Sequence, residues 1–186
     1  MEHLGTKVLE TERLLLRPFA VEDAEAMYRN WACDPEVTKY LTWPVHVSPE
    51  ATAELLADWV SQYARKDYYS WAIVLKELGQ PVGSISIVTH KDEAEKATVG
   101  YCIGRRWWRK GITSEALGLV IDYLIGEVGM NRVESYHDAN NPNSGAVMRK
   151  CGMKYEGTLR QSDRNNQGIC DACYYAILAE EWKEGK

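Results

Sequence analysis

Residues 107–124 read WWRKGITSEALGLVIDYL, two tryptophans and two cations joined through Gly111 to an amphipathic stretch. The helix begins at Thr113 or Ser114, so its unpaired N–H groups and positive dipole end face the basic segment. Glycine at 111 lets the backbone approach a ligand closely. Arg105, Arg106, Arg109 and Lys110 surround the junction with positive charge. Residue types in this order suit a diphosphate held by main-chain donors. Neither common nucleotide motif is present: there is no Gly-x4-Gly-Lys-Ser/Thr, and only one glycine follows Gly104 in the loop, which excludes Gly-x-Gly-x-x-Gly. A surface loop whose cations are simply solvated fits the same pattern, and both readings stay open on these residues alone.

Other groups capable of chemistry are fewer. Five cysteines are present, an odd number, and the polar start MEHLGTKVLETERL carries no signal peptide, so reduced thiols in a cytoplasmic protein are expected. Cys170 and Cys173 form a CxxC inside a predicted strand, where positions three apart face opposite sides, so no zinc or other metal site is expected. The formal charge of −5 argues against a nucleic-acid partner. It fits an amine-bearing partner and plain solubility equally well. No apolar run approaches the length of a membrane span.

The chain's 186 residues suit one domain with a core that needs no disulfide or metal. Residues 9–19 (LETERLLLRPF) predict a first strand, and residues 21–32 a helix with Glu22 and Asp23 in its first turn. Residues 34–50 hold three prolines and predict an irregular connection. A second helix starts at Ser48 and Pro49 and runs to Arg65, burying Leu55, Leu56, Trp59 and Val60. Strands follow at 69–76, 81–90 and 97–104, the last two joined by a charged loop, 89–97. The strongest helix signal spans 113–128, where Leu117, Val120, Ile121, Leu124, Ile125 and Val128 recur at the helical period. A strand at 132–137, a short helix at 143–152 ending at Gly152, and strands at 155–160 and 169–178 complete the order. The last few residues show no packing pattern and are read as disordered. This order predicts an α+β fold, a mixed sheet with helices on both sides and parallel pairing near its centre.

Residues 99–117, VGYCIGRRWWRKGITSEAL, resemble the acetyl-CoA signature of the GNAT superfamily of N-acetyltransferases, and more narrowly its RimJ/RimL-type branch. The family loop is Arg/Gln-x-x-Gly-x-Gly/Ala. Here Trp108, Arg109, Lys110, Gly111, Ile112 and Thr113 occupy it, with Trp108 in place of Arg or Gln and Thr113 in place of the small residue. TERLLLRPF (11–19), NPNSGAVMRKCGMKYEGTLR (141–160) and DACYYAIL (171–178) resemble three further blocks in the family's order. The resemblance implies a central sheet of about seven strands whose fourth and fifth strands splay apart around the pantetheine arm of acetyl-CoA. It implies that residues 108–113, with Ser114, hold the pyrophosphate, that the Ile103 N–H meets the cofactor near its thioester, and that Asn141 reaches the pantetheine arm.

Acetyl transfer to an amine needs a lost amine proton, a stabilised oxyanion and a protonated leaving thiolate. It needs no metal and no covalent enzyme intermediate. The Ile103 backbone N–H is the oxyanion candidate. Many relatives place a leaving-group Tyr where this chain has Met148; the RimJ/RimL branch offers Ser144 instead. Ser144 in the first turn of a short helix equally fits a structural cap. The usual Glu base is replaced by Thr98. His137 is a candidate base, though a solvated strand-end histidine is the commoner case. Glu115 and Glu156 read as structural. Trp31, Tyr40, Trp43 and Trp71 are candidates to line the acceptor pocket or to sit in the core. The reading is an acetyl-CoA-dependent N-acetyltransferase acting on a protein N-terminus or small amine, with a homodimer a mild expectation. A non-catalytic acyl-CoA sensor is the alternative, since Thr98 and Met148 do not titrate.

Overall fold

In the computed structural model, which describes residues 1–185, the chain opens with a hairpin. The N–H of Leu14 donates to the hydroxyl of Thr11, and this turn divides the expected first strand into β1 (Leu9–Glu10) and β2 (Leu14–Arg17). A 3-10 turn, Val21–Asp23, leads into α1 (Ala24–Met27), which widens into a π-helical turn, Tyr28–Ala32. The connection expected to be irregular contains a single helical turn, α2 (Pro35–Thr38), because the Asp34 carboxylate accepts the Glu36 N–H at 2.9 Å. Helix α3 (Pro49–Gln62) starts at Ser48, whose hydroxyl accepts the Ala51 N–H. Leu56 is its buried anchor; Leu55 and Trp59 pack at the rim, and Val60 is exposed rather than buried.

Strands β3 (Ser70–Leu75), β4 (Gln80–Lys91) and β5 (Lys96–Ile103) follow. Thr89 pairs with Thr98 and Lys91 with Lys96, so the charged loop shrinks to a turn at 92–95. Helix α4 (Ile112–Tyr123) runs into a π turn, Leu124–Val128. Then come β6 (Arg132–Asp138), α5 (Pro142–Lys150), β7 (Lys154–Asn165), β8 (Gly168–Leu178) and α6 (Ala179–Glu184). The tail read as disordered is thus helical to Glu184: Glu181 accepts the Leu178 N–H at 3.0 Å, and the Trp182 indole N–H donates to Asp122. Lys186 lies outside the described residues.

The eight strands form one sheet in the order β1-β2-β3-β4-β5-β6-β8-β7. The count exceeds the expected seven because the first strand is divided. All neighbours are antiparallel except β5 and β6, which pair in parallel over three residues only, Lys96 to Thr98 against Arg132 to Glu134. Beyond that point Ser135 still reaches across, its hydroxyl donating to the Val99 carbonyl at 2.7 Å, and then the two strands part. The splay therefore lies between the fourth and fifth strands when the two-residue β1 is left out.

Both faces of the sheet are covered, which is why every residue of β3 is buried. On one face Leu14, Leu16, Trp71, Ile73, Ile85, Val99 and Ile103 meet α4 through Leu117, Val120, Ile121 and Leu124. On the other, Ala72, Val74 and Cys102 meet Phe19, Met27, Trp31 and Leu56 from the α1–α3 region.

Candidate active site

The loop between β5 and α4 is held open by two residues with positive φ. Arg109 sits at φ 61° and Gly111, the N-cap of α4, at φ 73°. A left-handed arginine costs roughly 1–2 kcal/mol, and here it turns the chain so that main-chain donors point outward. Trp107 and Trp108 donate their N–H groups to Gly104 and Arg105, and the first backbone bond of α4 runs from Glu115 to Gly111. Between them, among the described residues, the N–H groups of 109–114 have no acceptor. The Ser114 hydroxyl turns back to the Gly111 carbonyl at 3.0 Å. The indole N–H of Trp108 donates to the Ile103 carbonyl at 2.9 Å and ties the loop to the end of β5.

The cations around this run differ from the sequence expectation. Arg105 pairs with Asp34 at 3.0 Å, and Arg106 lies over the ring of Trp107. Arg13 from β1–β2 and Lys150 from the end of α5 arrive in their place: a Cβ built on Gly111 would lie 3.5 Å from each of their terminal nitrogens. A cleft of about 490 Å³ is lined by Arg13, Arg109, Lys110, Gly111, Ser114, Glu115 and Lys150. A larger one of about 740 Å³ lies on the loop's other flank, where Glu12, Glu77 and Glu115 stand among Arg13, Lys76, Arg106 and Lys110, so it is less positive than the smaller cleft, whose only acid is Glu115. Glu115 is spoken for by Arg13 at 2.7 Å and Thr11 at 2.5 Å. Glu156 likewise pairs with Arg132.

At the splay, the Gly104 N–H donates to Val82 on β4. Two-residue alternation then turns the N–H of Ile103 away from β4, toward the gap. Ser144 lies in the first turn of α5 without capping it. Its hydroxyl donates to Tyr101 Oη at 3.1 Å, and the Tyr101 hydroxyl donates to the Ser144 carbonyl at 2.8 Å. Tyr101 thus spans from β5 to α5 across the gap. Burial pushes its phenol well above the ordinary range, more than the Ser144 hydrogen bond lowers it, so it is neutral at physiological pH. Sequence reasoning missed Tyr101; its signal was alternation with Val99 and Ile103 on the α4 side. Asn141 is the N-cap of α5, and its side-chain amide has no partner among the described residues. Met148 is fully buried in the core.

Three candidates are withdrawn from solvent. His137 is buried beneath α5: its ring stacks on Tyr175, Nδ1 meets the Asp138 carbonyl at 2.7 Å, and a Cβ on Gly145 would fall 2.4 Å from Nε2. Odd residues of β6 face the helix, which is why this strand-end histidine is not solvated. Trp31 and Trp71 are each 0 % exposed and belong to the two cores, so neither lines a pocket. Tyr40 and Trp43 stay partly exposed in the 38–43 segment. The tip of the β7–β8 hairpin clips that segment, with Asn166 donating to the carbonyls of Thr38, Leu41 and Trp43.

The opposite face of β5 and β6 carries carboxylates that sequence reasoning passed over. Glu134 bonds Lys96 at 2.7 Å, Arg132 at 2.8 Å and Thr98 at 3.0 Å, so a carboxylate stands beside the residue that replaces the expected Glu. Burial raises its pKa, but the hydrogen bonds from Lys96, Arg132 and Thr98 outweigh burial and hold it below the ordinary value. It stays ionised near neutrality and is a poor proton acceptor there. Tyr136 stacks on Tyr174 at 5.0 Å, and burial, with the charge of Asp163 next, pushes its hydroxyl up to about 12. Asp138 bonds Asn140 and Asn165. The polar even positions of RVESYHD, Arg132, Glu134, Tyr136 and Asp138, were the available signal.

Residues 13–154 match the family model described as an acetyltransferase (GNAT) domain. The chain is 28% identical over 180 residues to an uncharacterized N-acetyltransferase, p20, of Bacillus licheniformis, covering 95% of this chain and 98% of that one. An acetyltransferase (GNAT family) structure from Bacillus anthracis aligns with a TM-score of 0.81 at 27% identity, covering 94% of this chain and 99% of that one. RimL, a ribosomal L7/L12 alpha-N-protein acetyltransferase solved in complex with coenzyme A, shares the fold with a TM-score of 0.82 at 20% identity, covering 92% of this chain and 98% of that one. The matched span runs from β2 into β7 and encloses both the splay and the donor loop, and the chain belongs to the GNAT acetyltransferase family.

Proposed function

We propose that this acetyltransferase moves an acetyl group from acetyl-CoA to a primary amine, at a protein N-terminus or on a small molecule, by direct attack in a ternary complex. One observation carries the reading: the consecutive N–H groups of 109–114 have no acceptor among the described residues and stand beside the gap between the two parallel strands.

Acetyl-CoA supplies the activated acetyl thioester. Trp108, Arg109, Lys110, Gly111, Ile112, Thr113 and Ser114 form the loop that would hold its diphosphate, with Arg13 and Lys150 adding positive charge. Asn141 and Ser144 would face the pantetheine arm. As the amine nitrogen forms its bond to the acetyl carbon and the carbon–sulfur bond breaks, the Ile103 N–H donates to the oxygen that gains charge. A preorganised donor of this kind stabilises the transition state by about 3–4 kcal/mol. The Ser144 hydroxyl relays a proton from water to the departing thiolate and ends the step as a neutral hydroxyl, and Tyr101 orients that hydroxyl. The amine proton leaves through water. Asp138 and Asp163 make the other face attractive to a protonated amine before it sheds its charge.

RimL is named for alpha-N-protein acetylation, and this likeness puts peptide N-termini first among acceptors to try. The reading takes residues 1–186 as one domain acting in the cytoplasm, without nucleic acid or membrane, and able to form a homodimer; no helix among the described residues is long and apolar enough to cross a membrane. The test is calorimetry with acetyl-CoA, followed by CoA release against N-terminal peptides and small amines. Saturable binding and release with at least one amine are expected. No heat of binding overturns the reading, and binding without release on any amine favours an acyl-CoA sensor.

A further inference from the structure

At the end of the sheet opposite the splay's mouth, three potential metal ligands converge from segments far apart in sequence. His3 comes from the N-terminal segment, His90 from the end of β4 and Asp92 from the turn before β5. His3 Nε2 lies 3.2 Å and His90 Nδ1 lies 2.7 Å from the same oxygen of Asp92, and the three donor atoms fall within 4.8 Å of one another. We propose that His3, His90 and Asp92 bind one divalent d-block cation of the zinc type.

The donor set and spacing fit that class. Ligand bonds of about 2.0–2.1 Å in a tetrahedral site put neighbouring donor atoms about 3.3 Å apart. The 2.7 and 3.2 Å separations reach this with a small rotation of the Asp92 carboxylate. Two imidazoles and one carboxylate select zinc, cobalt, nickel or copper over magnesium and calcium, which prefer oxygen alone. Three protein ligands leave a fourth position for water. Asp92 is 52 % exposed against 16 % for His3 and 26 % for His90, so an ion has a path in from the carboxylate side.

A second observation supports a built site. The other ring nitrogen of His3, Nδ1, sits 2.9 Å from Tyr69 Oη, and that oxygen also accepts the Leu4 N–H at 3.2 Å. Tyr69 is 1 % exposed and rigid in the core. Metal-bound histidines are characteristically oriented in this way, by an outer partner on the nitrogen that does not ligate. The backbone on both sides is fixed too. The Glu2 N–H donates to Val128 at 2.9 Å, the Thr6 hydroxyl to Tyr68 at 2.9 Å, and His90 pairs with Ala97 in the β4–β5 ladder. Bound there, the cation would staple residues 1–4 to the 92–95 turn. The Glu95 carbonyl in that turn receives the N–H groups of Asn131 and Arg132 where β6 begins. The site would stabilise the base of the parallel pair and take no part in acetyl transfer.

The test uses the full chain without an affinity tag, stripped with a chelator and titrated with zinc and then cobalt(II). One equivalent should bind, the melting temperature should rise with metal concentration, and the cobalt spectrum should lack a thiolate charge-transfer band. His3→Gln and His90→Ala should each weaken binding by at least about 10–100-fold, and Tyr69→Phe by about tenfold. Magnesium should give no shift, and acetylation by the His3→Gln variant should match the parent. The proposal is overturned by the absence of saturable zinc binding, by unchanged affinity in both histidine variants, or by a thiolate band that moves the ion to the cysteines. Circular dichroism of each variant separates lost binding from lost fold, and Tyr69→Phe keeps all three ligands should either histidine variant unfold.

Discussion

Alternate residues of β5 and β6 face opposite sides of the sheet, and the two sides carry different chemistry. Toward α4 and α5 stand Val99, Tyr101, Ile103, Ser135 and His137, all uncharged or sealed from water, with Ser144 bonded to Tyr101 above them. On the reverse stand Lys96, Thr98, Glu134, Tyr136 and Asp138, an ionised and hydrogen-bonded surface. The β5–β6 pairing ends at Thr98 and Glu134, and the parting of the strands beyond them opens a gap between the two sides. Under the proposed reaction, period-two alternation in two short strands would keep the thioester on the drier side and leave the polar side to the amine. Substitutions on one side should alter one substrate's kinetics and leave the other's alone.

The largest effect expected is from Ser144→Ala, which should lower kcat by about 10²-fold. Its acetyl-CoA affinity by calorimetry should fall by no more than about fivefold, the worth of one hydrogen bond to the pantetheine arm. Unchanged turnover with a competent amine would remove Ser144 from thiolate protonation and weaken the division between the faces.

Next is Glu134→Gln, expected to lower stability in urea by about 2 kcal/mol at pH 7, since Lys96 and Arg132 lose a charged partner. The folded-state pKa of Glu134 lies below its unfolded value, so its contribution is fully present above the unfolded pKa and fades as pH falls through the folded pKa. The gap between parent and variant should accordingly close in acid. A gap that persists at low pH would mean that packing rather than charge holds the residue.

Gly111→Val should weaken acetyl-CoA binding by about tenfold, because a β-branched residue at φ 73° strains the donor loop by roughly 1–2 kcal/mol. The amine KM should not move. The smallest effect belongs to Tyr136→Phe, which should raise the amine KM by about fivefold, the worth of one hydrogen bond of about 1 kcal/mol, with the acetyl-CoA KM unchanged. If Gly111→Val shifts the amine KM, or Tyr136→Phe the acetyl-CoA KM, the faces are coupled rather than separate.

Much of this arrangement was legible in sequence where periodicity was strong. The helix with Leu117, Val120, Ile121 and Leu124 is present, and the basic run ending in Gly111 meets its start. Prediction fell short where elements lack an apolar face. Residues 161–165 continue β7 past the strand end expected at 160, because β7 is an edge strand exposed on both sides and bulged between Leu159 and Asp163. Val60 was expected in the core from helical spacing, but the buried face of α3 is formed by Thr52 and Leu56, and Val60 lies off it. Trp31 and Trp71 shared their residue type with pocket aromatics, and only burial separates the two roles.

By itself the sequence determined the order of the main strands and helices, a glycine ahead of α4 and the presence of a donor-rich basic loop, since these depend on neighbours within a few residues. Tertiary structure alone decided that Arg13 and Lys150, not Arg105 and Arg106, attend Gly111, that Tyr101 meets Ser144 across the gap, and that His3 reaches His90 and Asp92. Those contacts join residues separated by 39 positions (Gly111 and Lys150) to 98 positions (Arg13 and Gly111), and no local pattern encodes them. They arise when burying the apolar stripes of α4 and α5 brings distant polar groups to the same edges of the sheet.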